Sequence, residues 1–144
     1  MLRAKLQNWM VKKMRDIEFR GKGINDGEWY YGWLSIIDDD YYINHEEHIS
    51  QDEWDSSYDD YVGEVVDTET VGQYTGLTDK NGTKIFEGDI IKINEQYTRV
   101  VRYSEVKASF VTCNENEWVG YLKDYSKPVR VIGNIYDNSE LLKN

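Results

Sequence analysis

The chain has 144 residues, enough for one domain with a substantial core and too few for two full-sized ones. Hydrophobic residues make up 40% and aromatics 14%, carried mainly by 12 Tyr and 5 Trp, which argues against disorder of the whole chain and favours strands and half-buried surfaces. The net charge of −10 belongs to one segment: ten of the 27 acidic residues lie in 38–60, where no Lys or Arg occurs, and the other 17 match the 17 Lys and Arg found elsewhere.

Residues 1–13 place Leu2, Leu6, Trp9 and Met10 at helical spacing and carry Arg3, Lys5, Lys12 and Lys13 with no acid. This pattern predicts a short basic amphipathic helical arm. Such an arm grips a membrane surface, nucleic acid or a sister subunit; equally, it lays Leu2, Leu6 and Trp9 on its own domain, or extends upstream of a second start at Met14.

From Met14 the period becomes two. Ile17 and Phe19 alternate with Asp16, Glu18 and Arg20, and after the Asn25-Asp26-Gly27 turn a second run, Trp29 to Ile37, makes 14–37 a predicted antiparallel hairpin. The acidic excursion 38–60 follows. Beyond it, in 61–144, strand-like runs are Val62–Val66, Thr70–Thr75, Ile85–Ile93, Tyr97–Ser104, Val106–Thr112, Trp118–Leu122 and Val129–Tyr136, separated by Gly, Asn, Asp and Pro turns. Short strands at this spacing predict a mainly β fold whose C-terminal part is a small SH3-like barrel or a strongly curved antiparallel sheet.

No catalytic motif survives inspection. Asp79-Lys80-Asn81-Gly82 begins like a calcium loop, but Lys84 then falls at the required glycine and Ile90 at the bidentate glutamate, so a turn built on Asn81-Gly82 is the better account. Gly76 and Gly82 have the wrong spacing and order for a phosphate loop. His45 and His48 are the only histidines; three apart among acids, they are weak candidates for a metal and do not fit a zincin helix. Cys113, at the end of an apolar run, reads as a buried structural thiol, and a single cysteine provides no intrachain disulfide. The dense aromatics Trp29, Tyr30, Tyr31, Trp33, Tyr41 and Tyr42 suit a core or subunit interface better than base stacking, since no basic patch is interleaved with them. No cofactor is expected, no apolar run spans a membrane, and no secretory signal is evident, which makes the cytosol the expected compartment.

The run Val71-Gly-Gln-Tyr-Thr-Gly-Leu-Thr-Asp-Lys-Asn-Gly-Thr-Lys-Ile-Phe-Glu-Gly-Asp-Ile-Ile resembles the YopX family, encoded by bacteriophages and prophages. Met14 to Gly21 with Gly27 to Gly32, and Val131 to Leu142, resemble the family's opening and closing segments. The resemblance implies a YopX-like domain over 14–144, a phage gene product in a bacterial host cell, and no assigned activity. It marks Gln73, Tyr74, Thr75, Gly76, Asp79, Asn81, Gly82, Gly88, Asp89, Gly133 and Asn134 as structural motif residues. The expected function is a non-enzymatic accessory role through protein contacts, as a homo-oligomer or with a host or phage protein. Two alternatives stand beside it: an acidic decoy for a host nucleic-acid-binding protein, and a nucleic-acid-binding module using the basic arm.

Overall fold

The computed structural model describes residues 15–45, 63–115, 117–125 and 128–143. The fold is mainly β, in two antiparallel sheets. The predicted helical arm, with Leu2, Arg3, Lys5, Leu6, Trp9, Lys12 and Lys13, lies outside the described residues.

The first sheet contains β1 (Phe19–Gly23), β2 (Trp29–Ile37), β3 (Asp40–Asn44), β4 (Glu64–Thr78) and β5 (Lys84–Phe86). β1 and β2 pair antiparallel across a turn in which the Asp26 carboxylate accepts the Glu28 N–H and Gly27 takes a positive φ that an L side chain disfavours. β3 places residues 40–44 of the acidic excursion in the sheet. Asp38 and Asp39, with φ of 50° and 68°, form a two-residue reversal that pairs Ile36 with Tyr41 and Leu34 with Ile43. Asp tolerates the left-handed region, and the acid run concealed the short alternation of Tyr41, Tyr42 and Ile43.

β4 joins two predicted strands into one of 15 residues. The polar Asp67-Thr68-Glu69 stretch stays extended over an irregularity in the β1–β4 register, where Thr70 Oγ1 accepts the Lys22 N–H and donates to the Asp67 carbonyl. Because β1 pairs with β4 as well as β2, the pairings β1–β2–β3–β4 return to β1. Ile43 and Val66, both essentially inaccessible, fill this ring, and Gly21 makes room: a Cβ there would lie 2.7 Å from Val66 Cγ2.

The second sheet comprises β6 (Asp89–Ile93), β7 (Tyr97–Ser104), β8 (Ser109–Asn114), β9 (Glu117–Tyr121) and β10 (Val129–Asn134), in the order β10-β6-β7-β8-β9. The strand-like run Ile85–Ile93 is thus two strands, broken at Glu87-Gly88, where Gly88 has φ +89°. Among the described residues this second sheet does not close into a barrel. The edges β9 and β10 are joined by a 3-10 helix, Leu122–Asp124, in place of a backbone ladder. Leu122 enters the core with Ile85, Ile91, Ile93, Val101 and Val129, against which Phe110, Tyr125 and Val131 pack. Each such aliphatic side chain contributes about 1.5–3 kcal/mol on burial. Cys113 is buried in β8 opposite Val100.

Candidate functional site: the seam between the sheets

The motif residues converge on the seam where β4, β5 and β6 hand the chain from one sheet to the other. The Asp79 carboxylate accepts N–H groups from Asn81 (2.8 Å), Thr83 (2.9 Å) and, across the seam, Val131 of β10 (3.0 Å). Burial raises its pKa, but the N–H donors of Val131, Thr83 and Asn81 outweigh that and leave it below the usual value. What resembled a calcium ligand is therefore the acceptor that closes a turn. Gly82, at φ +79°, completes that turn with its N–H on the Asp79 carbonyl.

Upstream, Tyr74 packs on Phe86 at 5.6 Å between centroids, Thr75 Oγ1 donates to the Ile85 carbonyl, and the Gln73 carbonyl accepts the Glu87 N–H. Gly76, at φ +83°, turns the strand beside them. Downstream, Gly88 donates to the Val101 carbonyl of β7 and accepts the N–H of Ile135, just past β10. Asn134 Oδ1 accepts the N–H groups of Tyr136 and Asp137, and at Gly133 a Cβ would meet Asn138 Oδ1 at 2.6 Å. These motif residues make turns, backbone hydrogen bonds and a ring contact at the seam.

Asp89, 1% exposed, accepts the Phe86 N–H with one oxygen and Arg20 Nη2 at 2.7 Å with the other. Burial pushes its carboxyl up, against the opposing pull of Arg20 and the Phe86 N–H. Arg20, from β1, also reaches the Glu87 carbonyl and lies 4.8 Å from the Trp29 ring and 5.1 Å from that of Phe86. A second tie is Asp137, which takes Lys22 Nζ (2.5 Å), Trp29 Nε1 (2.7 Å) and Asn134 Nδ2 (3.2 Å) and is drawn down to about 2, most strongly by the Lys22 hydrogen bond. Sequence reading missed Arg20, Trp29 and Asp137 as seam residues because their partners are distant in the chain: 69 positions for Arg20 and Asp89, 108 for Trp29 and Asp137, and 115 for Lys22 and Asp137. An Arg on the polar face of β1 is the only local signal, and it does not name a partner.

Beside the seam runs an open groove of about 700 Å³ lined by Arg15, Glu18, Tyr31, Trp33, His45 and Lys84, among others. His45 stacks on Tyr30 at 5.7 Å. His48 lies outside the described residues, so the predicted histidine pair is not brought together in them. Among the described residues, no group of three or more His, Cys, Asp or Glu side chains could hold a metal ion, and no helix is long and apolar enough to cross a membrane.

The dense aromatics separate into roles. Trp29 and Tyr31 serve the seam through Asp137 and Phe86, Tyr30 hydrogen-bonds Asp26, and Trp33 stays 56% exposed. One cluster went unread in the sequence: Lys107 Nζ sits 4.1 Å over the Trp118 ring, and Lys123 Nζ lies 5.5 Å from that of Tyr121. A register shift at β8–β9 brings Trp118 and Tyr121 within 5.9 Å of each other, which spacing by twos does not foretell.

The fold and its seam define a two-sheet β protein whose signature residues build turns and inter-sheet ties. The chain belongs to the YopX family, whose model, described as YopX protein, matches residues 18–143. It is similar in fold to the crystal structure of protein EF1440 from Enterococcus faecalis, with a TM-score of 0.53 at 22% identity over 90% of this chain and 99% of that one. A search of curated proteins finds no match.

Proposed function

We propose that the protein is a non-enzymatic phage or prophage accessory factor that works through protein contacts in the cytoplasm of a bacterial host and self-associates through the exposed aromatic face of β2 that borders the groove. The observation that carries this reading is Tyr31, Trp33 and Ile37, odd-numbered residues of one strand that are 44%, 56% and 46% exposed. Alternation puts them on one face, and solvated aromatic and aliphatic rows of this kind are covered in symmetric assemblies. Sedimentation velocity across micromolar concentrations tests it. A concentration-dependent dimer or larger species that Trp33→Glu disperses supports the proposal; a monomer at all concentrations that copurifies with no protein from expressing cells overturns it.

A second reading, contact with single-stranded nucleic acid along β9, is favoured by Lys107 and Lys123 lying over Trp118 and Tyr121. Titration with short oligonucleotides at low salt, read by tryptophan fluorescence, decides it. No quenching disposes of it.

A further inference from the structure

We propose, resting on the self-association through β2 put forward above, that the groove beside β2 receives the N-terminal arm of a second copy of this chain, whose Leu2, Leu6 and Trp9 cover Trp33 and its neighbours. The groove measures about 700 Å³, and its lining includes Arg15, Ile17, Tyr31, Trp33 and His45. Ile17, Tyr31 and Trp33 are 51%, 44% and 56% exposed, so one open groove gathers large apolar side chains from β2 and from the stretch that leads into β1. A patch of that kind marks a surface that a partner covers. Arg15 is the first described residue, so residues 1–14 join the structure at the groove itself.

The arm carries the matching pattern. Leu2, Leu6 and Trp9 stand at i, i+4 and i+7, the anchor spacing of an amphipathic helix laid in an apolar groove, and Met10 broadens the same stripe. Arg3, Lys5 and Lys12 flank that stripe on either side. Isolated helices shorter than about 12–15 residues are marginal in water, so a helix over 1–13 needs a surface on which to dock.

Chain direction favours the arm of a second copy over the chain's own. β1 runs antiparallel to β2 with Phe19 opposite Gly32, so the residues before Phe19 head toward the Ile37 end of β2. Tyr31 and Trp33 lie back along the strand, and an arm that covered them in its own chain would have to reverse. Trp9 to Arg15 contains none of the Gly, Pro, Asn, Asp or Ser residues that favour a reversal. Across a two-fold axis no reversal is needed: each copy's arm continues outward into the other's groove, and the exchange closes a dimer.

The test is isotope-filtered NOE spectroscopy on the full chain, with ¹³C,¹⁵N-labelled and unlabelled copies mixed so that only contacts between copies are read. Contacts from the Trp33 indole of one copy to Leu6 and Trp9 of the other are expected. Leu6→Glu should raise the dimer dissociation constant by at least about tenfold in sedimentation velocity, the loss of one buried apolar side chain per protomer. Its ¹H–¹⁵N spectrum should keep the dispersion of the β domain, because the family match begins only at residue 18. Contacts between Trp33 and the arm confined to one copy overturn the proposal, as do contacts from Trp33 to residues of 46–60 in place of the arm. A dimer that Trp33→Glu disperses but Leu6→Glu leaves intact overturns the role of the arm and leaves self-association through β2 standing. A chain that stays monomeric at all concentrations removes both.

Discussion

Replacing Arg20 by Met tests the seam most directly, because it removes one member of a nearly dry ion pair and leaves the other in place. Asp89 is 1% exposed and keeps only the Phe86 N–H as donor once Arg20 is gone. Breaking a buried pair from one side destabilises by about 3–5 kcal/mol, whereas removing both charges is often near neutral. We expect Arg20→Met to lose about 3 kcal/mol in urea unfolding at neutral pH, which includes its contacts with Trp29 and Phe86. Asp89→Asn, which retains an acceptor for the Phe86 N–H, should lose about 2 kcal/mol, and the double variant clearly less than the two together. The pH dependence carries a defined sign. Burial raises the Asp89 pKa in the folded state, and loss of Arg20 raises it further, so the folded variant binds the proton more tightly than the unfolded chain. Its stability is therefore greatest below the unfolded carboxylate pKa and falls as pH rises through the folded one. The deficit of Arg20→Met relative to the parent should widen as pH rises above the ordinary carboxylate value of 3.8 toward neutrality. Additive single and double variants, or a deficit flat across that range, would refute the argument.

Gly21→Ala should destabilise by about 1–3 kcal/mol through overpacking, since its Cβ would meet Val66 at 2.7 Å; thermal unfolding reads the loss, and Val66→Ala in the same chain should recover part of it. Asp79→Ala strands three N–H groups, and faster hydrogen exchange at Thr83 and Val131 together, with a loss of about 2–3 kcal/mol, is the expected result. For Asp137 the sign is opposite to that of Asp89. Its folded pKa of about 2 lies below the ordinary 3.8, so its contribution is present above the ordinary value and lost as pH falls toward about 2. Acid titration of Trp29 fluorescence should show that phase, and Asp137→Asn should abolish it.

The family signature was legible in the sequence because it consists of local backbone chemistry. Asn81-Gly82, Glu87-Gly88 and Gly133-Asn134 write their turns into neighbouring residues, and the alternation of Ile17 and Phe19 with Asp16, Glu18 and Arg20 marks a strand without knowledge of its partners. The same locality explains two misreadings. The charge of Asp38, Asp39 and Asp40 hid a two-residue turn into β3, and the Ile85–Ile93 run was read as one strand although its Glu87-Gly88-Asp89 turn signal divides it.

By itself, then, the sequence determined that this is a mainly β chain of the YopX family, where most of its turns fall, and that its excess negative charge resides in one segment. Only the tertiary structure decided that β1 returns to β4, that Asp79 reaches across to Val131, and that Arg20 meets Asp89 between the two sheets. Those pairings join residues far apart in the chain. An isolated Arg or Asp shows its charge in the sequence, but what neutralises it depends on which strands lie side by side, and no local pattern encodes that neighbour.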